Sequence, residues 1–330
     1  MTFNWRSTLG AFMLGAAFAS AGPALAQTFP DRPVKIIVPQ PPGGGFDTVA
    51  RILADRLQPL LGQSVIVENK PGAGTLVGTD LASKAAPDGY TLLLGGVSNM
   101  AFNVGLYPKL SYDPVRDFTP VAMVVSWPYM LIARKDLPQN SFKELIDFAR
   151  ANPGKLNYAS AGRGTGQHLA SAVLAHLARL DMVHVPYSGA QPAYQDLLGG
   201  RIDLFFDNSS TALPQVKGEK VKAFAVSTAK RYGPTPDLPS VKETGVADMD
   251  MDSWFGLFAP RATPQPVLER LRAEAAKVRS DPSVIEIFAK SGGAMSTMSP
   301  AEAEAFAKSE AEHCGKLIRD AGLGEDLDHG

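Results

Sequence analysis

A five-residue apolar run, Val34-Lys-Ile-Ile-Val38, breaks into Pro39-Gln-Pro-Pro-Gly-Gly-Gly45 and then into a segment whose apolar residues Val49, Ile52, Leu53, Leu57 and Leu60 recur at helical spacing. The run reads as a buried strand, the Pro/Gly stretch as a tight loop, and the segment opened by Asp47 as a helix. This order constrains the fold strongly. A strand that feeds a helix through a short glycine loop belongs to an α/β sheet. It also leaves unpaired backbone N–H groups at the positive end of a helix dipole, a place that suits an anion.

The pattern continues along the chain. Residues 65–67 and 90–94 read as further strands, and the second ends in Gly95-Gly-Val-Ser-Asn99. Loops at the carboxyl ends of strands are where open α/β sheets place ligands. Residues 121–125 and 130–133 read as two extended runs with Pro128 between them, and Ser141-Phe-Lys-Glu144 as a capping box. Residues 156–160 then lead into Ala161-Gly-Arg-Gly-Thr-Gly-Gln-His168 and a helix bearing Leu169, Val173, Leu174 and Leu177. The opening pattern thus recurs roughly a hundred residues later, a spacing natural for two similar domains. Residues 183–185, 204–206, 221–226 and 255–259 supply more strands, whereas the C-terminal part reads as helical and without strands of its own. Thr263 is expected to cap one of its helices and Ser299, with Pro300 and Glu302, another.

The 330 residues suffice for two domains. A net charge of −1, with Lys and Arg scattered among acids, supplies no field for nucleic acid or an anionic membrane. Arg6, an apolar stretch at residues 9–19 and Ala24-Leu-Ala26 form a signal peptide over residues 1–26. The single cysteine, Cys314, leaves neither an internal disulfide nor a lipid-anchor thiol, and it reads as a packing residue. An exported, unanchored protein points to a periplasm.

Several chemistries are excluded by what is missing. Gly43-Gly-Gly45 has no Gly-Lys-Ser/Thr after it, and Gly162-Arg-Gly-Thr-Gly166 lacks the full dinucleotide spacing. The five histidines show no metal spacing, and no Gly-x-Ser-x-Gly elbow occurs. No cofactor is therefore expected. His168 opens a helix beside a glycine loop, where its imidazole would donate to a carboxylate. Asp207 ends a strand and is expected at a cleft, while Asp203 reads as the end of a surface turn. On residues alone the two glycine loops are either paired anion donors or two tight turns.

Phe29-Pro-Asp-Arg-Pro-Val-Lys-Ile-Ile-Val-Pro39 with Pro42-Gly-Gly-Gly-Phe-Asp47 resembles the opening of the tripartite tricarboxylate transporter receptors, also called the Bug family. Matching blocks follow in order: Val67-Glu-Asn-Lys-Pro-Gly-Ala-Gly74, Pro87-Asp-Gly-Tyr-Thr-Leu92, Tyr112-Asp-Pro-Val-Arg-Asp-Phe118, Leu156-Asn-Tyr-Ala-Ser160, His184-Val-Pro-Tyr187, Phe206-Asp-Asn208 and Trp254-Phe-Gly-Leu-Phe-Ala-Pro260. The resemblance implies a two-lobed type II periplasmic binding protein fold of α/β class. Residues 27–126 with 255–330 would form one lobe and 127–254 the other, joined by crossover strands near 126–130 and 253–256.

It further implies a ligand carboxylate gripped by Gly44, Gly45 and Asp47, with Asp47 equally eligible as the helix N-cap. Ser98, Asn99, Gly164, Thr165, His168, Tyr187 and Asp207 would complete the site. Phe46 departs from the small residue of most relatives and implies a narrower pocket or one that stacks an aromatic ligand; Cys314 departs from a tryptophan. The expected function is a monomeric receptor that delivers a mono- or dicarboxylate to membrane transporter subunits, without catalysis. Asp207 would select a ligand with an amino or hydroxyl donor. A sensor presenting its solute to a membrane kinase is the alternative, and an exported hydrolase a more distant one.

Overall fold

The computed structural model describes residues 29–324, so the signal peptide expected at residues 1–26 lies outside the described residues. The first half is built on β1 (Val34–Val38), α1 (Gly45–Leu61), β2 (Val65–Asn69), α2 (Leu76–Ser83) and β3 (Thr91–Gly96). β1 lies between β2 and β3, parallel to both. Its apolar run is buried on both faces, as a strand covered by helices requires. A π-helical turn, Ser98–Phe102, continues β3 into the short α3 (Asn103–Leu106).

β4 (Phe118–Arg134) then runs for 17 residues and belongs to both halves of the sheet. The two extended runs expected around Pro128 are thus one strand. Pro128 is tolerated because it sits opposite Asp252, at the last pairing with β9 (Asp252–Pro260), where a missing N–H costs little. Beyond it, Tyr129–Ala133 pair antiparallel with β7 (Leu204–Asn208), and Met130–Arg134 with β8 (Val221–Val226). With β5 (Asn157–Ser160), β6 (Val183–Pro186) and β10 (Ala294–Met295), the sheet order is β2-β1-β3-β9-β4-β7-β5-β6, with β8 and β10 also pairing β4.

The second half repeats the first in its β/α logic. α4 (Phe142–Ala151) is capped by Ser141, whose hydroxyl accepts the Glu144 N–H at 3.2 Å. β5 (Asn157–Ser160), α5 (Gly166–Ala178), β6 (Val183–Pro186), α6 (Ala190–Leu198), β7 and α7 (Ser209–Lys217) alternate, with β5 parallel to β6 and β7. Asp203 is more than the end of a turn: its carboxylate takes Arg134 Nε at 2.9 Å and the Asn157 N–H at 3.0 Å.

After β9 come α8 (Gln265–Ser280), α9 (Pro282–Lys290), β10 (Ala294–Met295) and α10 (Pro300–Asp320). Two expectations change here. Pro264 holds the cap position of α8, because the Thr263 hydroxyl donates to the Pro260 carbonyl at 2.7 Å instead. The C-terminal part also contributes a strand, the two-residue β10 paired with β4. Ser299 and Glu302 do form a capping box on α10.

One set of buried side chains, including Val38, Leu53, Leu94 and Leu257, fills the first half. Another, including Ile132, Phe205 and Leu213, fills part of the second. A third runs from Met100 and Leu106 through Cys314 and Ile318 to Leu169 and Leu204, so the two halves share a continuous core. Cys314 is a member of it, 2% exposed, and burial pushes its thiol well above the ordinary value. That environment makes it inert. Among the described residues no helix is long and apolar enough to cross a membrane.

Candidate binding cleft

The carboxyl ends of the parallel strands β1, β3, β5, β6 and β7 carry every loop singled out in the sequence. At the end of β1, Gly43 turns with φ +88° and Gly44 is the extended N-cap of α1. No side chain caps this helix, so the N–H groups of its first turn receive no acceptor from a cap.

Asp47 is not the cap. It is the third helical residue and reaches back, taking the Gly43 N–H and Arg51 Nε, each at 2.9 Å, and Asn69 Nδ2 at 3.0 Å. The Arg51 guanidinium is the largest influence holding its carboxyl down to about 2. The carboxylate is therefore ionised and turned into the protein, tying the glycine loop to the end of β2. Negative charge is withdrawn from the loop's open side.

Gly45 packs on the Phe255 ring, 3.2 Å from where a Cβ would sit. Phe46 is 4% exposed and meets Phe255 edge to face at 4.9 Å, and Trp127 also meets Phe255 edge to face, at 5.8 Å. The ring is part of an aromatic core on the crossover strands, and offers no free face for stacking a ligand.

At the end of β3, Ser98 is half-buried and Asn99 fully buried. The Asn99 amide accepts the Gly96 N–H at 2.8 Å and donates to Thr79 Oγ1 at 3.0 Å, while its carbonyl takes the Tyr112 hydroxyl at 2.5 Å. Asn103 links Tyr112 to Thr75. Asn99 thus shapes the loop from inside. Ala73, Gly74 and Thr75 beside it all have positive φ, which is unusual for non-glycine residues and was signalled in the sequence only by Pro71-Gly-Ala-Gly74.

The loop after β5 differs from the loop after β1. Gly162 donates its N–H to Ser160 Oγ at 3.2 Å, and Thr165 caps α5, accepting the His168 N–H at 3.4 Å and donating to the Gly162 carbonyl at 2.7 Å. Gly164 donates to His168 Nδ1 at 3.2 Å. The His168 ring, 4% exposed, stacks on His184 at 4.1 Å, and His184 stacks on Tyr158 at 5.0 Å. Burial, with His184 and Arg163 nearby, drives its pKa down to about 3. His168 is therefore a neutral ring whose Nδ1 accepts from the loop, which leaves its proton on Nε2. The echo of the first loop is geometric, while its N–H groups are largely satisfied within it.

Tyr187 donates its hydroxyl to Asp196 at 2.6 Å, and burial with that carboxylate pushes its phenol up to about 12. Asp207 does not face open space. It is 0% exposed, accepting Tyr194 at 2.8 Å, the Thr211 hydroxyl, and Gln167 Nε2 at 3.2 Å. Burial raises its pKa against these three donors. Thr211 is four residues on, in the first turn of α7, whereas Tyr194 comes from α6, a contact that no reading of neighbouring residues could supply. Gln167 itself, half-buried at the second position of α5, has no signal in the sequence beyond its place after the glycine loop. Among the described residues no group of His, Cys, Asp or Glu is placed to hold a metal ion.

Residues 49–323 match the family profile described as the tripartite tricarboxylate transporter family receptor. A UPF0065 protein from the tcbD-tcbE intergenic region of Pseudomonas sp. strain P51 is 36% identical over 314 residues, covering 95% of this chain and 93% of its own length. Two solved structures are similar along most of the chain. The R. palustris protein Rpa4515 with adipate has a TM-score of 0.79 at 32% identity, covering 89% of this chain and 98% of its own. MatC from Rhodopseudomonas palustris with bound malate has a TM-score of 0.78 at 33% identity, covering 88% and 100%.

Proposed function

The chain belongs to the tripartite tricarboxylate transporter receptor family, a family of periplasmic substrate-binding receptors and not of enzymes, and from that premise we propose that it captures a small organic carboxylate and delivers it to a membrane transporter of the tripartite type. In this reading residues 27–126 with 255–330 form one lobe, residues 127–254 form the other, and the protein works as a monomer in the periplasm.

The single observation that carries the ligand class is the uncapped N-terminus of the 17-residue α1. Its first-turn N–H groups and helix dipole favour an anion, and the one acid of that turn is committed inward. Charge-assisted bonds from backbone N–H groups hold a carboxylate without an arginine. The malate and adipate seen with similar proteins support the same class.

Gly44→Asp tests this directly. Gly44 is extended (φ −92°, ψ −179°), where any residue fits, and a Cβ there meets nothing closer than Gln40 Oε1 at 3.7 Å. An aspartate at that position would cap α1 with its own carboxylate. Carboxylate affinity in titration calorimetry should fall by about tenfold or more, since one charge-assisted bond is worth that much. The melting temperature should be unchanged or higher. Unaltered carboxylate binding in this variant would sink the proposal.

A further inference from the structure

We propose that Gln167 selects the second polar group of the ligand, with Asp207 as the residue that positions it; the inference rests on the carboxylate-receptor reading. Gln167 is the second residue of α5, at the carboxyl end of β5 and so on the crevice side of the sheet. Its backbone is held in place. At the preceding Gly166 any Cβ would overlap the Tyr129 hydroxyl, so the first turn of α5 lies directly on the shared strand β4. Ser171 Oγ donates to the Gln167 carbonyl at 3.0 Å.

The side chain is held as well. Nε2 donates to Asp207 Oδ1 at 3.2 Å, while the Tyr194 and Thr211 hydroxyls donate to Oδ2. Three side chains converge on Asp207. With Nε2 turned to Asp207, the Gln167 amide leaves Oε1 facing away from that carboxyl. A carbonyl oxygen fixed there repels a second carboxylate and accepts from a hydroxyl or ammonium group. The donor preference first assigned to Asp207 thus passes to Gln167, which Asp207 orients from beneath. The ligand class is a carboxylate that also carries a hydrogen-bond donor.

The experiment compares matched pairs by titration calorimetry on the purified protein: malate with succinate, lactate with propionate, glutamate with glutarate, and 2-hydroxyadipate with adipate. Wild type should bind the donor-bearing member of at least one pair about tenfold more tightly. In Gln167→Met, which keeps the length without the amide, that ratio should fall to within about twofold of unity. The protein should still fold, since Asp207 keeps the Tyr194 and Thr211 hydroxyls, with a melting temperature lower by a few degrees at most. Asp207→Asn should reduce the ratio too, because an amide at that position no longer dictates which way Gln167 turns. A wild type that favours neither member of any pair, or a Gln167→Met protein that keeps the wild-type ratio, overturns the inference and leaves the receptor reading standing. Failure of every carboxylate to bind wild type overturns both.

Discussion

Asp47 is worth most to this fold as an anchor for the loop it follows. Four residues of sequence separate it from Arg51, which makes their ion pair readable as a helical i,i+4 contact; Asn69, arriving from β2, is not readable that way. The same limit applies to His168 and Asp207. Each is marked by its place after a strand, and each is buried by a partner from another element: His184 over one, Tyr194 over the other. Asp47→Asn should cost on the order of 1–3 kcal/mol in urea unfolding at neutral pH, because the Gly43 and Arg51 donors lose a charged acceptor. The pH dependence has a definite sign. The folded carboxyl titrates at about 2, below its ordinary 3.8, so its contribution is present above 3.8 and disappears as pH falls through about 2. The gap between wild type and Asp47→Asn should close over that window. A gap that stayed constant from pH 7 to pH 2 would show that the substitution acts by packing alone.

At the scale of elements, strands and helices were legible wherever their signal is local, as in the β1–loop–α1 unit and the capping box of α10. Pro128 misled because proline normally breaks a strand, and only the long-range pairing of β4 with β9 shows that it occupies a position at the end of that ladder. The same crossover carries a group with no sequence signature. Asp252, opposite Pro128, has a carboxyl oxygen, Oδ1, that is buried without a hydrogen-bond partner. Burial first, then Asp250 and Glu310, push its pKa up to about 7, with the Ser126 hydroxyl opposing. Glu310 is itself held in place by Trp254 Nε1 at 2.8 Å. Here the sign is opposite to that of Asp47. Unfolded chain ionises Asp252 above about 3.8, whereas the folded crossover keeps its proton until about 7, so stability falls as pH rises between those values. Asp252→Asn should therefore melt close to wild type at pH 4 and several degrees above it at pH 8, in calorimetric scans. Equal melting temperatures at pH 8 would mean that the ionised carboxylate finds solvent or a donor there.

Across the whole molecule, the proposed roles give binding affinity and binding selectivity separate structural sources. The half-buried Tyr232, in the loop after β8, donates its hydroxyl to the Gly292 carbonyl near β10, and Trp127 Nε1 donates to the Ser291 carbonyl at 3.2 Å. These bonds join segments that the proposed division assigns to different lobes, and so they favour the relative placement of the lobes described here. A bond of this kind shifts the population of one lobe placement without touching the ligand, and its loss changes the affinity for every ligand by one common factor. Gln167, by contrast, would act on one ligand group and change ratios. Tyr232→Phe removes the hydroxyl and keeps the ring, so the affinities for malate, succinate and adipate should each change by the same factor, about three- to tenfold, with the malate-to-succinate ratio unchanged. The Gln167→Met and Tyr232→Phe effects on malate should then add in free energy, since one acts on contact and the other on closure. Strong non-additivity in that cycle, or a ratio altered by Tyr232→Phe alone, would place Tyr232 in communication with the ligand and make lobe placement part of the choice of solute.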